Sequence, residues 1–146
     1  MPKFMLLVRA TQDSESGNPP STEMIEEMMK YNNSLSNAGI LLAAEGFLSP
    51  SKGARISFNH QNESSVATGP FPHESTISGF WMIKAKDIEE AITWACKAPF
   101  RAEGSAIEVR QIAGPEDFGD QLTDDLKNQE GELRKKLEER AVGGKA

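Results

Sequence analysis

The chain has 146 residues, 38% of them hydrophobic and 26% charged, with a net charge of −6 and a pI near 5.0. A single domain of that length buries roughly 70% of its unfolded surface, so no disulfide or metal is required to hold a core. The acidic balance argues against binding a nucleic-acid backbone, and no apolar run approaches the ~20 residues of a membrane span. Cys96 is the one cysteine, which excludes an intramolecular disulfide and suits a reducing, cytoplasmic setting. With only His60 and His73 beside it, a closed structural zinc site is excluded as well. The N-terminal MPKFMLLVRA has too short an apolar stretch for a secretory signal.

Residues 3–9 (KFMLLVR) read as a strand, with Phe4, Leu6 and Val8 on one side and Met5, Leu7 and Arg9 on the other. The polar TQDSESGNPP that follows reads as a loop. Ser21 is then an N-cap, with Glu23 in the first turn, and Met24, Met28, Tyr31, Leu35 and Ala38 keep helical spacing. Gly39 suits the left-handed position after that helix. ILLAAEGF (40–47) reads as a buried strand broken at Gly46, and Pro50 and Gly53 punctuate the next loop. ARISFNH (54–60), a QNES turn and a returning SVAT predict a hairpin. TGPFPHEST (68–76) is a loop, because its closely spaced prolines cannot join a ladder. GFWMIKA (79–85) is a strand of large residues. Asp87 caps a second helix, with Glu90 placed for a capping box. Ile88, Ala91, Ile92 and Ala95 face one way, and Pro99 ends it. AIEVRQI (106–112) is the last strand, with Ile107 and Val109 set against Glu108 and Arg110.

From Gly114 the character changes. Residues 120–140 form a charged helical segment with Leu122, Leu126, Leu133 and Leu137 on one stripe, interrupted at Gly131, and the closing AVGGKA is expected to fray. The division is therefore a domain over 1–114 and a charged helical extension over 115–146. The order of elements in the first part is the α+β, ferredoxin-like βαββαβ plan with an inserted β-hairpin. Both helices then lie on one face of a four-stranded antiparallel sheet. Three strands (40–46, 79–85, 106–112) offer bulky residues on both sides, leaving the second face apolar. Such a face is larger than a monomer normally exposes, which predicts a homodimer joined sheet against sheet.

The segments KGARISF, TGPFPHESTISGFWMIKAKDIEEAITWACKAPF, IEVRQI and PEDFG resemble the YCII-related proteins of the DGPF branch, from the first strand to about residue 120. That resemblance implies a dimeric α+β barrel. Some DGPF relatives are encoded beside, or fused to, extracytoplasmic-function sigma factors. One related group resembles a cofactor-free dehydrochlorinase of a chlorinated hydroquinone, and wider relatives include cofactor-independent oxygenases and muconolactone isomerases. Two departures stand out. The branch's Asp-Gly-Pro-Phe is here Thr68-Gly69-Pro70-Phe71, followed by Pro72-His73-Glu74-Ser75-Thr76 in place of Ala-Glu-Thr-Lys-Glu. Shorter YCII-related proteins carry a His in the first helix and an Asp before the Pro that ends the second. This chain has no His in its first helix and has Ala98 before Pro99, so that pair does not carry over.

Other groups must then supply any acid–base chemistry. His73 lies in the motif loop beside Glu74, a carboxylate able to raise its pKa and fix its tautomer; the alternative is an exposed loop histidine. Glu45 ends a strand expected to be buried, where desolvation would make it an acid or base; alternatively it pairs with Arg9 or Arg110. Such an Arg–Glu pair lining a pocket could also hold an anionic substrate. Thr68 cannot act as a base, so it marks either a lost catalytic Asp or a turn tied down by hydrogen bonds. Phe71, Trp81 and Tyr31 are candidate ligand contacts, weighed against core packing, and Phe80 and Met82 belong to the core or the dimer interface. Cys96 is read as a small apolar residue near the buried stripe and His60 as solvent-exposed.

The first functional reading is a cofactor-independent lyase or isomerase, its pocket between helices and sheet. His73 or Glu45 would move a proton, and Arg9 or Arg110 would hold an anionic group. The alternatives are a non-catalytic ligand-binding or regulatory protein linked to transcription, and a dimeric scaffold without a ligand. No metal, cofactor, nucleic-acid or membrane partner is expected.

Overall fold

The computed structural model describes residues 1–143, so the end of the AVGGKA stretch (144–146) lies outside the described residues. The chain runs β1 (Lys3–Arg9), α1 (Gln12–Glu15), α2 (Thr22–Asn37), β2 (Leu41–Gly46), β3 (Ala54–Phe58), β4 (Ser64–Thr68), β5 (Ile77–Lys84), α3 (Ile88–Ala95), β6 (Ile107–Gln111) and α4 (Asp124–Gly143). Short 3₁₀ turns occupy Pro50–Lys52, His73–Ser75 and Pro115–Gln121. Residues divide into two compact units, Met1–Ile112 and those from Ala113 on.

In the first unit the strands form an antiparallel sheet in the order β2-β5-β1-β6, the ferredoxin-like arrangement, and β3–β4 form a separate two-stranded sheet. The four-stranded sheet is open and does not close into a barrel within one chain. Strand alternation sets the layers. Phe4 lies opposite Ile83 and Leu6 opposite Trp81, and all four are buried. Tyr31 and Leu35 of α2 and Ala91 of α3 close over them. Burying each of the larger of these side chains contributes about 1.5–3 kcal/mol. The caps are those the sequence predicts: Ser21 Oγ accepts from Met24 N at 3.1 Å, and Asp87 Oδ1 from Glu90 N at 2.9 Å. Glu90 reaches back to Lys86 N at 3.4 Å, one residue short of the reciprocal capping-box contact.

The opposite sheet face carries Met5, Leu7, Phe80 and Met82, all partly exposed. Its apolar character stops at β6, which presents Glu108 and Arg110 there instead of the bulky residues expected on both sides. Several further expectations are corrected. The polar segment after β1 contains the one-turn helix α1, held by a reciprocal pair: Thr11 Oγ1 accepts from Ser14 N at 3.3 Å, and Ser14 Oγ from Thr11 N at 2.8 Å. Ala91 alone of the second-helix stripe is fully buried, while Ile88 and Ile92 remain over 40% exposed. Cys96 is exposed, because α3 ends at Ala95 and the chain turns there. A register irregularity between Leu41 and Ala43 leaves Leu42 exposed on an otherwise half-buried strand.

In the second unit α4 passes through Gly131 without the interruption expected. Glycine costs a helix interior about 1 kcal/mol but does not forbid helical φ and ψ, and the Glu130–Arg134 pair spans the position at 2.7 Å. Leu126, Leu133 and Leu137 are exposed on this helix.

Two glycines opposite each other, Gly46 and Gly79, distinguish tight from free backbone. A Cβ on Gly79 would stand 2.7 Å from the Glu45 carbonyl oxygen, whereas one on Gly46 meets nothing within 4 Å. Gly79→Ala should therefore destabilise the unit by about 1–3 kcal/mol and Gly46→Ala by less than about 0.5 kcal/mol. Urea denaturation of the two variants measures the contrast.

Candidate functional site

Where β2, β5 and β1 lie side by side, the row Gly46–Gly79–Val8 carries one side chain on three strands. The missing side chains leave a cleft of about 270 Å³ beneath α2. Met28 and Asn32 of α2, Ala44 of β2 and Phe100 after α3 contribute to its wall, along with Val8. Trp81 is the buried indole of that wall. It is 5% exposed, its ring meets Tyr31 edge-on at 5.0 Å between centroids, and Phe100 lies 6.0 Å away. Its indole Nε1–H donates to Asn32 Oδ1 at 2.7 Å. Asn32 was not a candidate from sequence. The available signal was a polar amide at helical spacing between Met28 and Leu35, on the side of α2 that faces the sheet.

Glu45 borders the cleft, but it is exposed, so the burial invoked for it is absent, and its place opposite Phe80 puts its side chain on the sheet face away from α2. Neither proposed arginine partners it. Arg9 Nη2 donates to the Gly104 carbonyl at 2.9 Å, and Arg110 pairs with Glu108 at 3.1 Å. Neither lines the cleft, and among the described residues no charged side chain stands on its helix-facing wall. Tyr31 does not aim its hydroxyl into the cleft. The O–H donates to the Trp94 carbonyl at 2.8 Å, joining α2 to α3. Burial, then the neighbouring Cys96, pushes its pKa up to about 12.

A family model for the YCII-related domain matches residues 3–114. The chain belongs to the YCII-related domain family. No curated protein matches it. In this YCII-related chain the T-G-P-F loop lies apart from the cleft wall. Thr68 ends β4 opposite Ala54, and Gly69 N donates to Gly53 O at 3.0 Å. A Cβ on Gly69 would overlap the Pro50 carbonyl, so the loop needs glycine there for close approach. Arg55 stacks over the Phe71 ring at 4.3 Å and donates to the Ser75 carbonyl at 3.2 Å. His73 Nε2 sits 3.0 Å from Glu74 Oε1 in the following turn, with the imidazole 38% exposed. Arg55 thus joins Phe71 to Ser75 beside the motif, Trp81 and Asn32 meet at the cleft, and neither His73 nor Thr68 is among the residues lining that cleft.

A second hollow, about 420 Å³, lies between α3 and β6 and includes Cys96 and Arg101 in its lining. Among the described residues no three His, Cys, Asp or Glu side chains gather as a metal site. The cleft under α2 is where an apolar floor and a hydrogen-bonded amide coincide, the usual make-up of a small-molecule site.

Tyr31 gives a pH prediction. The folded state keeps the phenol proton up to about pH 12, whereas the unfolded chain releases it near 10.0. The resulting stability is fully present below pH 10 and is lost as pH rises toward 12, on the order of 2–3 kcal/mol in all. Tyr31→Phe should flatten the alkaline limb of stability against pH relative to wild type, as measured by denaturant titrations at matched pH.

Proposed function

We propose that this YCII-related chain binds a small, mostly apolar molecule in the cleft beneath α2. The observation that carries this reading is the Trp81–Asn32 hydrogen bond on the wall of that cleft. A buried indole and an oriented amide beside Met28 and Phe100 supply both hydrophobic area and a fixed polar point. A cofactor-independent proton transfer of the isomerase or lyase type would need a titratable group in the cleft, and Glu45, opposite Phe80 in the register, projects from the other sheet face, so binding without chemistry is the reading favoured. A scheme that pairs Glu45 with His73 lacks support, because His73 is not among the residues lining the cleft.

The same reading takes the working unit to be a homodimer. Met5, Leu7, Phe80 and Met82 form an apolar centre on the sheet face away from the helices. Phe47 (53% exposed) and Leu48 (78% exposed) continue the apolar surface at the end of β2. A second copy laid on this face would remove that surface from water. No helix among the described residues is long and apolar enough to cross a membrane. The lone cysteine and the charge of −6 fit a reducing, cytoplasmic setting without nucleic acid.

Two experiments test the reading. Small aromatic fragments screened by ligand-observed NMR should bind wild type, and Ala44→Leu, which fills the cleft, should abolish the signal. A fragment set that cannot tell the two proteins apart would sink the cleft assignment. Sedimentation equilibrium should give a dimer for wild type and a folded monomer for Met82→Lys. A wild-type monomer at micromolar concentration would rule out the assembly.

A further inference from the structure

Asn32 is a side chain whose orientation can be decided from its partner alone. The indole of Trp81 offers one polar group, an N–H that only donates. The atom of Asn32 facing it at 2.7 Å must therefore be the acceptor, the carbonyl Oδ1. The amide nitrogen Nδ2, with two N–H donors, is consequently turned away from the indole. Among the described residues no acceptor takes it, and Asn32 lines the cleft. What the cleft holds out through this residue is a hydrogen-bond donor with its rotamer locked from behind.

The rest of the wall restricts what can meet that donor. Among the described residues no lysine or arginine lines the cleft, so none of them neutralises an anion there. The net charge of −6 further disfavours a carboxylate. Val8, Met28, Ala44 and Phe100 provide apolar contact. The volume of about 270 Å³ exceeds the roughly 150 Å³ cavity that takes benzene, leaving room for one substituted ring. We infer that the cleft selects an uncharged, planar molecule bearing a carbonyl oxygen, which accepts a hydrogen bond from Asn32 Nδ2 while Trp81 holds the amide in place. This inference rests on the cleft reading above and replaces the anionic ligand that Arg9 and Arg110 suggested from sequence.

The test compares three probes of similar size by NMR titration: acetophenone, toluene and benzoate. Wild type should bind acetophenone about fivefold more tightly than toluene, as one net hydrogen bond allows, and should bind benzoate least. Asn32→Asp keeps an oxygen for Trp81 but loses the donor. It should weaken acetophenone about fivefold and leave toluene unchanged, with the Trp81 indole N–H resonance confirming that the wall is intact. Equal binding of acetophenone and toluene, preference for benzoate, or an acetophenone affinity untouched by Asn32→Asp would overturn the inference while leaving the cleft occupied. Failure of all three probes to bind, or binding that persists in Ala44→Leu, would instead remove the cleft reading and this inference together. Should Asn32→Asp not fold, the wild-type ranking of the three probes decides the matter.

Discussion

The Trp81 indole is buried at the point where β5, α2 and the segment after α3 meet, and a donor buried without an acceptor costs about 1–3 kcal/mol. Asn32 Oδ1 supplies the acceptor and so ties α2 to β5, in the same rotation of the helix that buries Tyr31 and Leu35. Once α2 is turned that way, Tyr31 points at the carbonyl of Trp94 and meets the Trp81 ring edge-on, while Leu35 drops into the core one turn further along. The same contact props the helix above the Gly46–Gly79–Val8 row, where there is little side chain to fill the space. One hydrogen bond thus touches both the core and the cleft.

That coupling explains which parts were legible in sequence. Signals that act within a few residues read correctly: Ser21 and Asp87 as caps, Gly39 in the left-handed position at φ 74°, and the alternation that buries Phe4 and Leu6 while leaving Met5 and Leu7 on the far face. The order of strands followed, because two strand–helix–strand units leave few ways to pair. The site was less accessible. The apolar strand around Glu45 predicts burial, yet β2 is an edge strand and its last residues reach solvent. Asn32 carries no local signal of its role, because an asparagine in a helix speaks first to backbone preference and the indole that uses it lies 49 residues away.

The sheet's free face shows a similar division between local and distant causes. Alternation alone puts Met5, Leu7, Phe80 and Met82 there, and the ladder registers place them next to one another across β1 and β5. The charged pair Glu108–Arg110 on β6 bounds this apolar centre on one side. An apolar centre beside a polar strip is the anatomy of a protein–protein interface. The hairpin β3–β4 has the same character: Ile56, Phe58 and Val66 are all more than half exposed. A two-stranded ribbon of that kind has marginal stability by itself. Its attachment to the unit comes from the loop that follows it.

That loop is the one carrying the T-G-P-F motif, and its contacts account for a Thr at the position the DGPF resemblance gives to Asp. Thr68 takes part through its backbone, closing the ladder opposite Ala54, and no hydrogen bond from its hydroxyl joins it to another described residue. Gly69 works through what it lacks, since any Cβ would collide with the Pro50 carbonyl. Phe71 works through its ring, which lies under the Arg55 guanidinium, while that same guanidinium donates to Ser75 and ties the hairpin to the His73–Ser75 turn. None of these contacts uses a carboxylate at position 68. The motif in this chain is a clasp between the hairpin and the sheet, and replacing its first side chain with Thr leaves every one of those contacts in place. A group that fastens the hairpin and a group that lines the cleft are therefore separate features of the fold, free to vary independently.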